Sequence, residues 1–194
     1  MWVLLDNRDS FTHMLHQSLL LAGAPECRVI GSHEISLQNL IAFQPERIIL
    51  SPGPETPLQA GVTMESVAHF VDKIPVLGIC LGHQALGLHF GAQLVKAPEP
   101  RHGYTSEVAF SGNPPLFSGI SNPFTVMRYH SLSIENLEGT GLNALARATD
   151  DQTIQVMTHE KYPCVGIQFH PESIGTPDGI QLLRNWVEMG MEEA

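Results

Sequence analysis

The stretch Lys73-Ile-Pro-Val-Leu-Gly-Ile-Cys-Leu-Gly-His-Gln84 decides how the rest of the chain is read. Four of the five residues from Ile74 to Gly78 are apolar or proline, and they lead into Gly78-Ile-Cys-Leu-Gly82. Beyond that, His83 to Phe90 reads as a short helix. The pattern is strand, sharp turn, helix, with a cysteine at the tip, which is the cysteine form of the nucleophile elbow. Glycines on both flanks allow a tight turn and a close approach of neighbouring backbone. The helix start aims free N–H groups and the positive end of its dipole at the sulfur. Such surroundings can bring a thiol pKa from ~8.5 into the range ~3.5–7.5. The competing reading is a small core hydrophobe, the usual role of a cysteine at a buried strand end.

Working outward, Trp2 to Leu5 is a short apolar strand, and Asp6-Asn-Arg-Asp-Ser10 is a polar turn able to cap a helix. Phe11, Leu15, Leu19 and Ala22, with Met14 and Leu21 beside them, predict a helix stopped by Gly23. Cys27 to Ile30 is a second strand. Leu37, Leu40 and Ile41 predict a short helix after a Ser36 cap, ended by Pro45. Arg47 to Leu50 is a third strand, which empties into Ser51-Pro-Gly-Pro-Glu-Thr-Pro57, a loop by its proline content. A helix over about 63–71 then precedes the strand at Val76. This alternation predicts an α/β fold: a doubly wound, mostly parallel sheet with helices on both faces. Ligands of such sheets sit outside the C-terminal strand ends, so the loops at 6–10, 51–57 and 80–84 are expected on one rim.

After residue 92 helical periodicity gives way to short β-rich runs at 105–110, 124–129, 144–148, 154–158 and 164–169. They predict an antiparallel β extension whose last run rejoins the main sheet. Gly179 to Met189 is a closing helix, with Ile180, Leu183 and Val187 expected on its buried face. The 194 residues show no repeat or linker, so one domain over 1–194 is expected.

Net charge is −10, and no Lys/Arg cluster interrupts the acidic balance, which argues against nucleic acid and anionic membrane as partners. No stretch approaches the ~18 apolar residues of a membrane span. Met1-Trp-Val-Leu-Leu-Asp6 lacks the basic start of a signal peptide. Cys27, Cys80 and Cys164 are odd in number and without C-x-x-C spacing, so neither a disulfide framework nor a cysteine zinc site is indicated, and a reducing cytoplasm is expected. His83 and His89 are six residues apart on the elbow helix and face different sides, a poor metal pair. No metal and no cofactor are expected.

The second motif is Gly166-Ile-Gln-Phe-His-Pro-Glu172. His170 ends an apolar strand, as Cys80 does, and Glu172 follows two residues on. A histidine in reach of Cys80 takes its proton and later protonates a leaving amine, while a carboxylate on the far ring nitrogen holds the tautomer. Pro171 fixes one dihedral between them.

With both motifs in view, Gly78-Ile-Cys-Leu-Gly-His-Gln84 and Phe169-His-Pro-Glu-Ser173 resemble the triad-type (class I) glutamine amidotransferases, a flavodoxin-like α/β family. Leu5-Asp-Asn-Arg-Asp-Ser-Phe-Thr12, Ser51-Pro-Gly-Pro54, His102-Gly103 and Arg128-Tyr-His-Ser-Leu132 narrow the resemblance. It becomes one to the glutaminase subunits of anthranilate synthase and aminodeoxychorismate synthase, and it spans essentially the whole chain. The resemblance implies Cys80 as nucleophile, His170 as general base and acid, and Glu172 as the orienting carboxylate. It implies backbone N–H groups of Leu81 and Gly53 as an oxyanion hole, one donor of which is worth roughly 2.7–4 kcal/mol of barrier. Gln84 and the backbone at Ser131 and Leu132 would hold the α-amino and α-carboxylate groups of L-glutamine, and Gly53, Pro54 and Glu55 would line the same pocket. The partner implied is a chorismate-using synthase subunit (component I), docked on a face that includes Asn7, Asp9, Ser10, His102 and Gly103.

Two residues depart from the family pattern. Glu55 stands where glycine is common, with the expectation that the position does not need a positive φ. Tyr104 stands where lysine is common after His-Gly, which bears on a charged contact with the partner. His130 reads equally as a site residue or as a structural hydrogen-bond donor. Two other functional classes remain: a stand-alone γ-glutamyl hydrolase or peptidase with this fold and triad, and a non-catalytic binding module. The 5–12 motif speaks against the first, and competent residues at every chemical position speak against the second.

Overall fold

The computed structural model describes residues 1–189. Its frame is one nine-stranded sheet in the order β2-β1-β3-β4-β11-β10-β9-β6-β7. The parallel part comprises β1 (Trp2–Asp6), β2 (Cys27–Gly31), β3 (Arg47–Leu50), β4 (Val76–Ile79) and β11 (Cys164–Ile167). The antiparallel part comprises β6 (Tyr104–Phe110), β7 (Phe124–Arg128), β9 (Leu142–Ala148) and β10 (Ile154–His159). The last β-rich run does rejoin the main sheet: β11 lies parallel beside β4, with Ile167 opposite Ile79. A separate antiparallel pair, β5 (Gln93–Lys96) with β8 (Leu132–Glu135), stands outside the sheet. Sequence reading assigned no strand to either segment, because each is four residues long and carries polar residues on the exposed positions.

Strands buried on both faces need apolar residues in both phases. In β1, Trp2 and Leu4 enter one core while Val3 and Leu5 enter the other. The first core is closed by α1 (Thr12–Leu21) and α5 (Gly179–Glu188), the second by α2 (Leu37–Ala42), α3 (Thr63–Phe70) and α4 (Leu81–His89). Ser36 caps α2 as its sequence suggests, accepting from the Asn39 backbone N–H at 3.3 Å. Arg47, buried at the start of β3, places its guanidinium carbon 4.6 Å from the Trp2 ring and 4.9 Å from the Trp186 ring. It donates to the Trp186 carbonyl at 2.8 Å and so clamps the end of α5 to the sheet.

Three sequence expectations need correction. The buried face of α5 is led by Leu182, Leu183, Trp186 and Val187, while Ile180 is only half-buried, because the large Trp186 ring turns the helix toward Trp2. Met14 and Leu21, expected beside the core face of α1, are both exposed. The loop after β3 contains a 3₁₀ turn at Pro57–Gln59, where Pro57 supplies the fixed φ that a first turn accepts.

Candidate active site

The parallel strands β1, β3, β4 and β11 all point their C-terminal ends to the same edge. That edge collects the loops that sequence marked for chemistry.

Cys80 follows β4 directly, with φ +50° and ψ −98°, a conformation L-residues avoid. The surroundings over-determine it. Its N–H donates to the Ile167 carbonyl at 2.7 Å, and its own carbonyl accepts from Gln84 N–H at 3.1 Å as α4 begins. A Cβ on Gly78 would run into the Gly82 carbonyl, and one on Gly82 would lie 2.5 Å from the Leu50 carbonyl oxygen. The glycines on both sides are therefore required by contact, and Cys80 is held at the tip, buried apart from a small opening.

His170 lies three residues beyond β11, next to β4 in the sheet. Its N–H donates to the Met127 carbonyl at 3.0 Å, and Thr176 Oγ1 donates to its carbonyl at 2.7 Å. The ring Nδ1 is 2.6 Å from Glu172 Oε1, with both side chains buried. Glu172 Oε2 has no hydrogen-bond partner among the described residues. A buried carboxylate with so little other compensation favours a cationic imidazole beside it. Burial alone lowers the basicity of His170. Hydrogen bonding and charge from Cys80 and Glu172 outweigh it and raise the pKa to about 10. The remaining nitrogen, Nε2, makes no aligned hydrogen bond to any of the described residues, so it is the atom left for Cys80 and a substrate. Phe11 and Tyr129 pack against the imidazole at centroid distances of 5.4 and 5.0 Å. Asp9 sits close enough to feel both His170 and Glu172. Burial is the main cause that raises its pKa.

A cavity of ≈ 210 Å³ opens over Cys80. It is smaller than the ~300–1,000 Å³ typical of drug-sized ligands and suits an amino acid. Gly53, Pro54, Glu55, Gln84, Ser131 and Leu132 all line it, so the residues that sequence grouped as a substrate pocket share one space. Tyr129, His130 and His102 line it too. Sequence placed His102 only at a docking face and gave Tyr129 no role. Neither is separable from sequence, because the loops meet only through the antiparallel half of the sheet. The Gln84 amide nitrogen lies 3.3 Å from both the Leu132 carbonyl and Gln168 Oε1, which commits its two N–H groups and leaves its oxygen to accept. Gln168, not singled out in the sequence, donates to Cys80 Sγ at 3.6 Å. Its position beside Cys80 follows from the β4–β11 register. Leu81 lies against Gly53: a Cβ on Gly53 would be 3.0 Å from Leu81 Cδ1, and 2.7 Å from Asn7 Cβ, so only glycine fits there.

Two site expectations are overturned. Glu55 does need a positive φ, at +62°. The chain turns through the left-handed region there to bring 53–55 back over Cys80, which is why glycine suits the position. Asn7 cannot be a surface docking residue. It is buried, with its backbone N–H on Ser51 Oγ at 2.8 Å, its amide on the Ser51 carbonyl at 2.9 Å, and its Oδ1 accepting from Thr63 at 2.6 Å. It ties the loops after β1 and β3 together. Asp9, Ser10, His102, Gly103 and Tyr104 do reach the surface or lie at its edge. Asp6 and Asp9 order the loop before α1, with Asp6 Oδ1 accepting from Arg8, Asp9 and Thr12, but neither side chain caps the helix. His83 is wholly buried, and burial holds it neutral with a pKa of about 3. Among the described residues no group of three or more His, Cys, Asp or Glu side chains is placed to hold a metal ion.

Comparison with known proteins gives the family. The chain is 42% identical over 192 residues to anthranilate synthase component 2 of Pseudomonas putida, covering 96% of each. It is 38% identical over 187 residues to aminodeoxychorismate synthase component 2 of Escherichia coli K12, covering 96% of this chain and 99% of that one. Among solved structures, a Thermoplasma acidophilum protein described as one of the subunits of GMP synthase superposes with a TM-score of 0.81 at 26% identity, over 96% of this chain and 92% of the other. The family model described as glutamine amidotransferase class-I matches residues 3–189, and the chain belongs to that family.

Proposed function

We propose that this chain is the glutaminase subunit of a chorismate-using synthase. It hydrolyses L-glutamine to glutamate and ammonia and passes the ammonia to a synthase subunit, within one domain spanning residues 1–194 and in the cytoplasm. The observation that carries the reading is a single cavity bringing Cys80, the Gln84 anchor and the 53–55 and 131–132 backbones together, with His170 close to Cys80 and hydrogen-bonded to Glu172 behind it. No helix among the described residues is long and apolar enough to cross a membrane.

In this reading the imidazolium of His170 stands beside the Cys80 thiolate before substrate arrives. The sulfur attacks the side-chain carboxamide carbon of glutamine, and the developing oxyanion is received by the N–H groups of Leu81 and Gly53. His170 gives its proton to the departing nitrogen, which leaves as ammonia, and a γ-glutamyl thioester remains. Water then attacks the thioester carbon while His170 takes its proton. Collapse releases glutamate, and the thiolate–imidazolium pair is restored. The free oxygen of Gln84 suits the α-ammonium of the substrate, since both amide N–H groups are occupied. Ammonia must reach its electrophile before bulk water protonates it. The docking face is therefore proposed beside this edge, with Asp9, Ser10, His102 and Gly103 among its residues.

Relatives that serve anthranilate synthase and relatives that serve aminodeoxychorismate synthase both match closely, so the test has an arm for each. The chain is mixed with chorismate and either synthase partner, and product is measured with glutamine and then with an ammonium salt at alkaline pH. Cys80→Ala is expected to remove glutamine-dependent product and to leave ammonia-dependent product intact. Loss of both in a complex shown to be assembled overturns the division of labour. Full glutaminase turnover by the chain alone, unaffected by either synthase, favours the stand-alone hydrolase.

A further inference from the structure

Arg128 ends β7 with no solvent exposure, and all five of its N–H donors have acceptors. Nη1 reaches Ser106 Oγ and Asp150 Oδ1, each at 3.2 Å. Nη2 reaches Asp151 Oδ2 at 2.6 Å and Thr153 Oγ1 at 3.0 Å. These contacts anchor the guanidinium in the turn between β9 and β10 and neutralise it there. The fifth donor, Nε, points the other way, to His130 Nε2 at 3.0 Å.

That last contact fixes a proton. A guanidinium N–H only donates, so His130 Nε2 must be a bare acceptor, and the ring hydrogen must sit on Nδ1. Nδ1 is 2.9 Å from the Leu132 carbonyl, which it therefore donates to. The same carbonyl accepts from the Gln84 amide at 3.3 Å. A chain of donors thus runs from the β9–β10 turn through Arg128 and His130 to the backbone that lines the cavity over Cys80. The groups facing His130 are Arg128 two residues before it at the end of β7, Asp151 from the β9–β10 turn, His170 beyond β11 and His83 on α4. Burial and then the Arg128 charge hold its pKa down to about 4, so the ring keeps this tautomer across neutral pH.

We propose that Arg128 is a positioning residue for substrate recognition: it locks His130 as the Nδ1–H tautomer, and His130 holds the Leu132 carbonyl so that Gln84 and the 131–132 backbone receive the α-amino and α-carboxylate groups of glutamine. This rests on the glutamine pocket proposed above. Arg128 acts through His130 and touches no reacting atom. Lysine cannot replace it, since one ammonium cannot donate to the turn and to His130 in this fork geometry.

The test starts with the intact wild-type protein, labelled with nitrogen-15, and reads the ring nitrogens of His130 by NMR. The expected result is a protonated Nδ1, a bare Nε2, and no titration between about pH 5 and 8. An Nε2–H tautomer, or titration near the ordinary value of about 6.5, overturns the proposal. Glutaminase kinetics in the synthase complex follow for Arg128→Gln and Arg128→Lys. In both, KM for glutamine is expected to rise about tenfold, the weight of one lost hydrogen bond, with kcat little changed. In Arg128→Gln, KM is expected to climb further at acid pH, with an onset above the wild-type value of about 4, because the Arg128 charge no longer opposes a second proton on His130 while burial still does. An unchanged KM, or a KM with no new acid limb, overturns the proposal. If Arg128→Gln fails to fold, Arg128→Gln/Asp151→Asn removes the stranded carboxylate and is read in the same way. A wild-type complex without glutaminase turnover refutes the proposed function, whereas the NMR result alone decides the tautomer.

Discussion

Cys80 and Cys164 stand on neighbouring strands of one sheet but at opposite edges. Cys164 opens β11 and Cys27 opens β2, so both lie at N-terminal strand ends. There burial pushes their thiols up, to about 12 and about 11, with only backbone hydrogen bonds to offset it. Cys80 closes β4 at the C-terminal edge, beside His170, with the Gln168 amide at 3.6 Å and the start of α4 beneath it. The side chain is the same. Strand polarity decides which one meets a cation, a donor and a cavity. Strained backbone also gathers at the C-terminal edge, where Arg8, Glu55 and Cys80 have positive φ in the loops after β1, β3 and β4, although Gln44, Asn136 and Gln152 share the conformation elsewhere. Strain of this kind persists only where packing holds it, and here it shapes the pocket.

The hardest way to break this comparison is to exchange the roles of the cysteines. Cys80→Ser is expected to lower glutamine hydrolysis by about 10⁴-fold or more, because the hydroxyl does not form the anion that the thiol does. Cys164→Ala is expected to cost about 1 kcal/mol of stability and to leave kcat unchanged. Steady-state assays and melting curves on the two variants check this. A Cys164→Ala protein that melts normally but is inactive would mean that the two edges are not chemically distinct.

A smaller effect sharpens what the active edge supplies. The raised pKa of His170 means that whatever its proton contributes is fully present below the unfolded value near 6.5 and is lost as pH rises through about 10. The alkaline limb of kcat/KM is therefore expected high, near that value. Glu172→Gln keeps the shape of the side chain but removes the carboxylate charge. It is expected to move the limb downward and to lower kcat by about 10²–10⁴-fold, less than His170→Ala. A pH profile of the variant that overlays the wild type would show that Glu172 does not hold the imidazolium.

The smallest effect concerns strain. Glu55→Gly relieves a left-handed residue, worth ~1–2 kcal/mol, and gives back part of that through greater freedom of the unfolded chain. A rise in melting temperature of about 1–3 °C is expected by calorimetry. A fall would show that contacts of the Glu55 side chain hold the loop, rather than the loop being held in spite of it.

Some of this molecule is determined locally, and that part is legible in the residues. The strands Arg47–Leu50 and Val76–Ile79 are runs of apolar residues bounded by proline, glycine or charge, and the helices over 12–21 and 63–70 show their period directly. The elbow is local at Gly78, where a Cβ would meet the Gly82 and His83 backbone, whereas Gly82 is required by Leu50 on the adjacent strand. Other features depend on residues far apart in the chain. Leu94 and Ile134 meet across the β5–β8 pair only because α4 turns the chain back. The burial of Asn7 depends on Ser51 and Thr63. The positive φ of Glu55 is imposed by where residues 53–55 must return, and the tautomer of His130 by a guanidinium anchored in Asp150 and Asp151. Sequence by itself thus determined the alternating α/β frame and pointed to Cys80, His170 and Glu172 as candidates, because periodicity and motif spacing act over a few residues. The tertiary structure alone decided which polar groups are buried, which backbone is strained and where each ring proton sits, because those depend on partners that only the folded sheet brings within hydrogen-bond range.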